Sequence, residues 1–241
     1  MKELYNNYYE EGFSQSESQQ LDIESFELNA RKFKWNYERF LKDLPKKAKI
    51  LDFGCGLGQF LFYLKKEGFE NSTGIDISQT QVQLALQMQP ELDIRHVDDS
   101  LLFLKSHPQK YDFIVMNDVL EHFELNVIVN LLKLVHFALK TDGLVIIKTI
   151  NSAYPLSNSS RYIDITHNIS FHERSLTHLL SHAKFIEICC YQEEIGIYNA
   201  VFLIKKGIVS LVRLLIKIFV YFTESDWPNI ISVNIIVSGK K

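Results

Sequence analysis

Leu51-Asp52-Phe53-Gly54-Cys55-Gly56-Leu57-Gly58 is the stretch on which the reading of this chain turns. An apolar run, KILDF, ends in glycines at alternate positions, and a residue without a Cβ lets the backbone turn sharply and approach a ligand closely. A strand that delivers its end to a ligand is expected. The dinucleotide fingerprint has glycine at its first, third and sixth positions, whereas here Gln59 is sixth and the last glycine fifth, which disfavours a nicotinamide dinucleotide. No lysine followed by serine or threonine closes the loop, so a phosphate-cradling P-loop fails as well. Asp52 precedes the turn, and Asp76 stands eighteen residues beyond Gly58 at the end of Gly74-Ile75-Asp76. A carboxylate at the tip of a second strand accepts two hydrogen bonds from a ribose diol, and Asp52 can meet an ammonium group beside the loop. That pair suits a nucleoside bearing an amino acid.

Outward from the loop, apolar runs alternate with helix-length segments. STGIDI, DIRHV, YDFIVM and GLVIIKT read as strands, with helices at Phe33–Leu44, Ser78–Met88 and Leu125–Leu139. Such alternation implies a parallel sheet covered on both faces. Residues 1–30 are acidic and polar and read as an N-terminal arm or lid, in which Tyr5, Tyr8, Tyr9 and Phe13 can close over a ligand. The main domain is expected over 31–241. Within it, 150–172 is too long and polar for a tight turn and reads as a substrate loop. A helix at Glu173–His182 and strands KFIEICCY and IISVNIIVS follow, with an apolar insertion at 201–228 between those strands.

Composition narrows the partners. The 241 residues carry 26 basic and 29 acidic side chains, a net charge of −3, so no basic field for nucleic acid is present. The three cysteines, Cys55, Cys189 and Cys190, offer neither a disulfide framework nor zinc-ligand spacing, which fits a reducing cytoplasm. The start has no apolar leader, and no run of about 18 uninterrupted apolar residues reads as a membrane span.

Through ILDFGCGLGQFL, GIDIS, HVDDSLLFL and FIVMNDVLEHF, in that order, residues 48–149 resemble the class I S-adenosylmethionine-dependent methyltransferases. The resemblance implies a Rossmann-like α/β fold with a seven-stranded, mainly parallel sheet and an antiparallel last strand. It places the methionine part of S-adenosyl-L-methionine near Asp52 and Gly54, with Gly56 and Gly58 in the same loop, and the ribose on Asp76. Adenine falls by Ile77 and Asp99 with Ser100, and Asn117 faces the methionine portion. NDVLEHF, IKTIN and RYIDITHNISFHERSLTHLL are similar to a subgroup from bacterial surface-polysaccharide and sugar-modification clusters. That subgroup has an acidic residue where Asn168 stands, glycine where Lys184 stands and a Pro-Gly turn where Thr141-Asp142 stands.

An in-line methyl transfer needs donor and acceptor held at near-attack distance in a dry site, and a sugar hydroxyl also needs a general base. Neutral histidine suits that role near pH 7. His122 emerges after the fourth strand, and His167 lies on the 150–172 loop that should cover the same edge; both are expected to be catalytic. Asp118, Arg161, Tyr162, Asp164 and His172 are expected to contact a hydroxyl-rich small molecule or glycan. Alternatives are N- or C-methylation, a non-catalytic cofactor-binding subunit, or a divalent ion on Asp118, Glu121, His122, Asp164 and His167, although no spacing demands a metal.

Lys206, Ser210, Arg213 and Lys217 recur at spacings of four, three and four, forming one cationic stripe on an otherwise apolar helix. The expectation is a stripe turned outward, either wet while the apolar face packs on the sheet, or meeting acidic headgroups at the inner membrane face. A homodimer contact through 208–222 is the third possibility.

Overall fold

The structure, a computed structural model, describes residues 23–223 and 228–241. Seven strands form one sheet: β1 (Ile50–Phe53), β2 (Ser72–Asp76), β3 (Asp93–His96), β4 (Tyr111–Asn117), β5 (Leu139–Ile150), β6 (Ile186–Gln192) and β7 (Asn234–Lys240). Their order is β3-β2-β1-β4-β5-β7-β6. β1 to β5 pair in parallel, and β7 runs antiparallel to both β5 and β6, as the resemblance implies. Helices α1 (Ile23–Leu41), α2 (Gln59–Lys66) and α3 (Gln79–Met88) contribute to one apolar core. α4 (Ser100–Lys105), α5 (Leu125–Ala138) and α7 (Glu173–His182) contribute to the other, and the short α6 (Ser157–Tyr162) lies in the 150–172 loop. β4 divides its side chains between the two: Phe113 and Val115 join one core, Ile114 and Met116 the other. That alternation is the strand period itself, and two covered faces explain the nearly continuous apolar run.

The strand order reverses between β1 and β4, and at such a switch point the carboxyl ends of neighbouring strands diverge into a crevice. The site is therefore placed by topology.

α1 begins at Ile23, ten residues before the helix expected from Phe33, because buried Phe26 and Ala30 continue its apolar face. Residues 23–30, read above with the arm, belong to this helix. Tyr5, Tyr8, Tyr9 and Phe13 lie outside the described residues. Lys184 and Asp142 have φ of 74° and 61°, so the backbone is left-handed where the resembling subgroup has glycine.

The insertion is α8 (Ala200–Thr223); contrary to the packed-helix expectation it buries none of its side chains, and Lys206 and Arg213 of its cationic stripe turn toward the domain while Ser210 and Lys217 stay exposed. Lys206 pairs with Glu194 at 3.4 Å and lies over the Trp35 ring, while Arg213 Nε donates to the Ile231 carbonyl at 3.1 Å. The Glu194 carboxylate and the Ile231 carbonyl hold these two cations toward the domain by electrostatic attraction. Among the described residues no helix is long and apolar enough to cross a membrane.

Candidate active site

A cleft of about 910 Å³ opens at the carboxyl ends of β1, β2 and β4, lined by Asp52, Gly54, Gly56, Asp76, Ile77, Ser100, Asn117, Asp118, His122, Asp164 and His167 among others. The glycine loop forms its floor. Gly54 and Gly56 have φ of 74° and 51°, and a Cβ on Gly54 would meet Val119 Cγ2 at 2.5 Å. Gly58 does not line the cleft. It ends the turn at φ 77° as the residue before α2, and a Cβ there would meet Ile94 Cδ1 at 2.5 Å, so its role is packing. Cys55 is buried, and burial raises its thiol pKa well above the ordinary range, which removes it as a nucleophile.

Asp76 is held by the loop it serves. Gly56 N donates to Oδ2 and Ser78 N to Oδ1, each at 2.8 Å, leaving the remaining lone pairs of each oxygen for a diol. Burial raises its carboxyl pKa against the lowering by these bonds. Asp52 is fully enclosed, its Oδ2 has no hydrogen-bond partner, and burial followed by the charge of Asp76 pushes its pKa up to about 8. A buried carboxylate with an empty acceptor fits the ammonium of an amino-acid nucleoside. Asn117 accepts a short hydrogen bond from Tyr37 OH on Oδ1 and leaves buried Nδ2 without an acceptor. These orphaned atoms and the glycine floor fit S-adenosylmethionine.

Asp99, expected beside adenine, is not among the residues that line the cleft. It is exposed and N-caps α4, its Oδ1 accepting from Leu101 N at 2.8 Å and Leu102 N at 3.0 Å, a position short acidic side chains favour. Ile77 and Ser100 do line the cleft.

The same cleft carries a hydrogen-bonded chain. His122 Nδ1 lies 2.9 Å from Thr166 Oγ1, and Thr166 Oγ1 lies 2.6 Å from Asp164 Oδ1. Since the carboxylate only accepts, the hydroxyl donates to it and accepts from Nδ1–H, so the relay sets the tautomer with Nε2 as the basic nitrogen. Burial, and next the neighbouring His167, lower the His122 pKa, favouring the neutral ring. The His122 and His167 ring centroids are 4.8 Å apart, and His167 Nε2 is 3.8 Å from Asp164 Oδ2. Ligand atoms of His122, Asp164 and His167 all fall within 4.8 Å of one another. Asn168 ties the loop to the turn: its N donates to Glu121 O and its Nδ2 to His122 O, both at 2.7 Å.

Also lining the cleft, Lys148 meets Asp118 at 2.6 Å, and Asp118 has a left-handed φ of 54°. Burial works to lower the Lys148 pKa, but Asp118, Tyr37 and Glu193 outweigh it and hold it above its ordinary value. Glu121 is buried, accepts from Thr149 Oγ1 at 2.8 Å, and is pushed up to about 8 by burial and then by Asp118.

Three expected substrate contacts are elsewhere. His172 N-caps α7, its Nδ1 accepting from Arg174 N at 3.2 Å; Arg161 donates to Asn168 O at 2.6 Å; Tyr162 is 73% exposed. Each satisfies local backbone or solvent and none lines the cleft. Thr166, Lys148 and Tyr37 were not singled out by sequence reasoning. Asp164-Ile165-Thr166 does carry a signal, an Asx turn in which Asp164 Oδ1 accepts from Thr166 N at 2.8 Å.

Comparison with known proteins bears on the family and the fold. The model of a family described as a methyltransferase domain matches residues 26–188. YqeM of Bacillus subtilis (strain 168), whose name marks its methyltransferase assignment as provisional, is 30% identical over 152 residues, 53% of each chain. The chain spans about half the length of the curated relatives it matches over the longest stretches. A SAM-dependent methyltransferase from Archaeoglobus fulgidus superposes with a TM-score of 0.64 at 19% identity, covering 88% of this chain and 94% of that one. Human N-acetylserotonin methyltransferase in complex with SAM gives 0.63 at 16% identity, covering 99% and 59%. At these identities the likeness is one of fold.

Proposed function

The chain belongs to the methyltransferase domain family, and from that membership we propose that it transfers the methyl group of S-adenosylmethionine to an oxygen of a sugar or another small hydroxylated metabolite. The donor supplies an electrophilic methyl on a positively charged sulfur. Asp52 takes its ammonium and Asp76 its ribose diol, while the glycine floor lets the backbone lie close against it. When bound, S-adenosylmethionine would give up its methyl group to the acceptor oxygen and leave as S-adenosylhomocysteine, and His122 Nε2 would take the proton of the acceptor hydroxyl. Thr166 and Asp164 orient the ring and stabilise its charged form. Asp118 and Asp164 offer acceptors to further hydroxyls, which favours a polyhydroxylated molecule.

The observation that carries the reading is the His122–Thr166–Asp164 chain, whose His122 and Asp164 line one cleft with Asp52 and Asp76. The test is a panel of sugar nucleotides, glycan fragments, small alcohols and amines, read by S-adenosylhomocysteine formation. Turnover confined to hydroxyl acceptors is expected. Turnover only on amines or carbon acids, or donor binding with transfer to nothing in the panel, overturns it.

A second reading rests on the convergence of His122, Asp164 and His167, which would let a divalent ion activate the hydroxyl instead. Loss of turnover on chelation, restored by magnesium, would select it.

A further inference from the structure

α8 is a helix of 24 residues without one buried side chain. Its half-buried positions, Phe202, Lys206, Val209, Arg213, Ile216 and Val220, recur at alternating spacings of four and three and mark the side turned to the domain. The opposite side is apolar throughout: Ile204, Ile208, Leu211, Leu215, Phe219 and Phe222 are 56–77% exposed. A Cβ on Gly207 would meet nothing within 4 Å. At 100° per residue the outward apolar arc spans about half the helix and is bordered by exposed Lys205 on one flank and Lys217 on the other. No acidic residue occurs between 200 and 223.

We propose that α8 lies in the plane of an anionic phospholipid surface, with its apolar arc in the acyl boundary and Lys205 and Lys217 at the level of the phosphates. The inward cations fit this use. Lys206 on Glu194 and Arg213 on the Ile231 carbonyl fasten the helix to the domain alongside half-buried Phe202, Val209, Ile216 and Val220, and leave the opposite apolar side for lipid. Long cationic side chains at the borders of an apolar face reach headgroups while their stems stay apolar. A second copy of the chain suits the surface less well. A two-fold contact of α8 with itself would oppose lysines with no acid on the helix to pair them. The strip is about 36 Å long and half a helix circumference wide, on the order of 550 Å² per partner against the roughly 800 Å² of a standard interface. The proposal stands independently of the acceptor assigned above.

The experiment is co-sedimentation of the full chain with vesicles of phosphatidylcholine alone or mixed with phosphatidylglycerol, at low and high salt. Binding to the mixed vesicles, weakened by salt, is expected. Lys205→Gln with Lys217→Gln should reduce affinity about 30-fold, and Leu211→Asp with Leu215→Asp should abolish binding. Both pairs point outward, so donor affinity and melting temperature should match wild type; if the aspartates lower melting, the lysine pair still decides. Wild type that ignores anionic vesicles at low salt overturns the proposal. So does equal binding to phosphatidylcholine without salt dependence, or a vesicle-free dimer in analytical ultracentrifugation that Leu211→Asp dissociates.

Discussion

The wall of the cleft assigned to the donor comes mostly from one stretch, Asp52 to Ser78, joined by Ser100 and Asn117, whereas the wall assigned to the acceptor is assembled from residues 118–122, 148–149 and 163–168. On the donor wall the backbone does most of the work: left-handed glycines shape the floor, and amides of Gly56 and Ser78 aim the Asp76 carboxylate. On the acceptor wall side chains orient one another, from Asp164 through Thr166 to His122. A wall set by backbone tolerates changes in its neighbours, while a wall set by a relay depends on every member. The two should therefore respond differently to single substitutions.

The largest effect is expected on the acceptor wall. His122→Ala should cut turnover by roughly 10²–10⁴-fold and leave the affinity for S-adenosylhomocysteine unchanged. Because burial and His167 lower the His122 pKa, wild-type turnover should fall only as pH drops below the ordinary imidazole range, and the variant should lose that limb. A parallel loss of donor affinity would show that the two walls are not separable.

A smaller effect belongs to Asp52. Asp52→Asn should weaken donor binding by roughly 10- to 150-fold, the worth of a charge-assisted hydrogen bond. With its pKa raised from 3.8 to about 8, Asp52 is protonated in the empty protein at pH 7, and pairing with the donor's ammonium should expel that proton. Calorimetry in two buffers of different ionisation enthalpy should read a release approaching one proton, and no release would mean that the ammonium lies elsewhere. The sign for stability follows: the folded state retains a proton the unfolded chain has lost, so the empty protein should lose stability as pH rises through this window. Asp52→Asn should flatten that decline in a pH series of thermal melts.

The smallest effect sharpens the comparison most. Thr166→Val keeps the shape of the loop but removes the hydroxyl that joins the His122 ring to Asp164, and turnover should fall about 5- to 10-fold with donor affinity and KM nearly constant. The acid limb of turnover should also move, since the bond from Nδ1–H stabilises the charged ring. An unmoved limb would reduce Thr166 to a packing residue.

Much of the donor wall was legible in the chain because its determinants are local. Glycines spaced for left-handed turns, Asp52 one residue from the strand end and Asp76 at the next strand tip are all dictated by short-range backbone geometry. Where local rules compete, expected site residues sit outside the cleft lining. Asp99 before a helix serves as its cap, His172 does the same for α7, and Arg161 closes on a nearby carbonyl. A polar side chain within reach of unpaired backbone is used there first.

The amino-acid sequence by itself determined the alternating fold, the glycine floor and the two carboxylates of the donor wall, since strand period and turn sterics act over a few residues. Only the tertiary structure decided that Thr166 joins His122 to Asp164 across 44 residues, and that Lys148 lies beneath Asp118. It alone decided which way α8 faces. Helical periodicity gives a helix two sides but not the neighbours that claim them, and here Glu194, Trp35 and the Ile231 carbonyl draw Lys206 and Arg213 inward and leave the leucines outside.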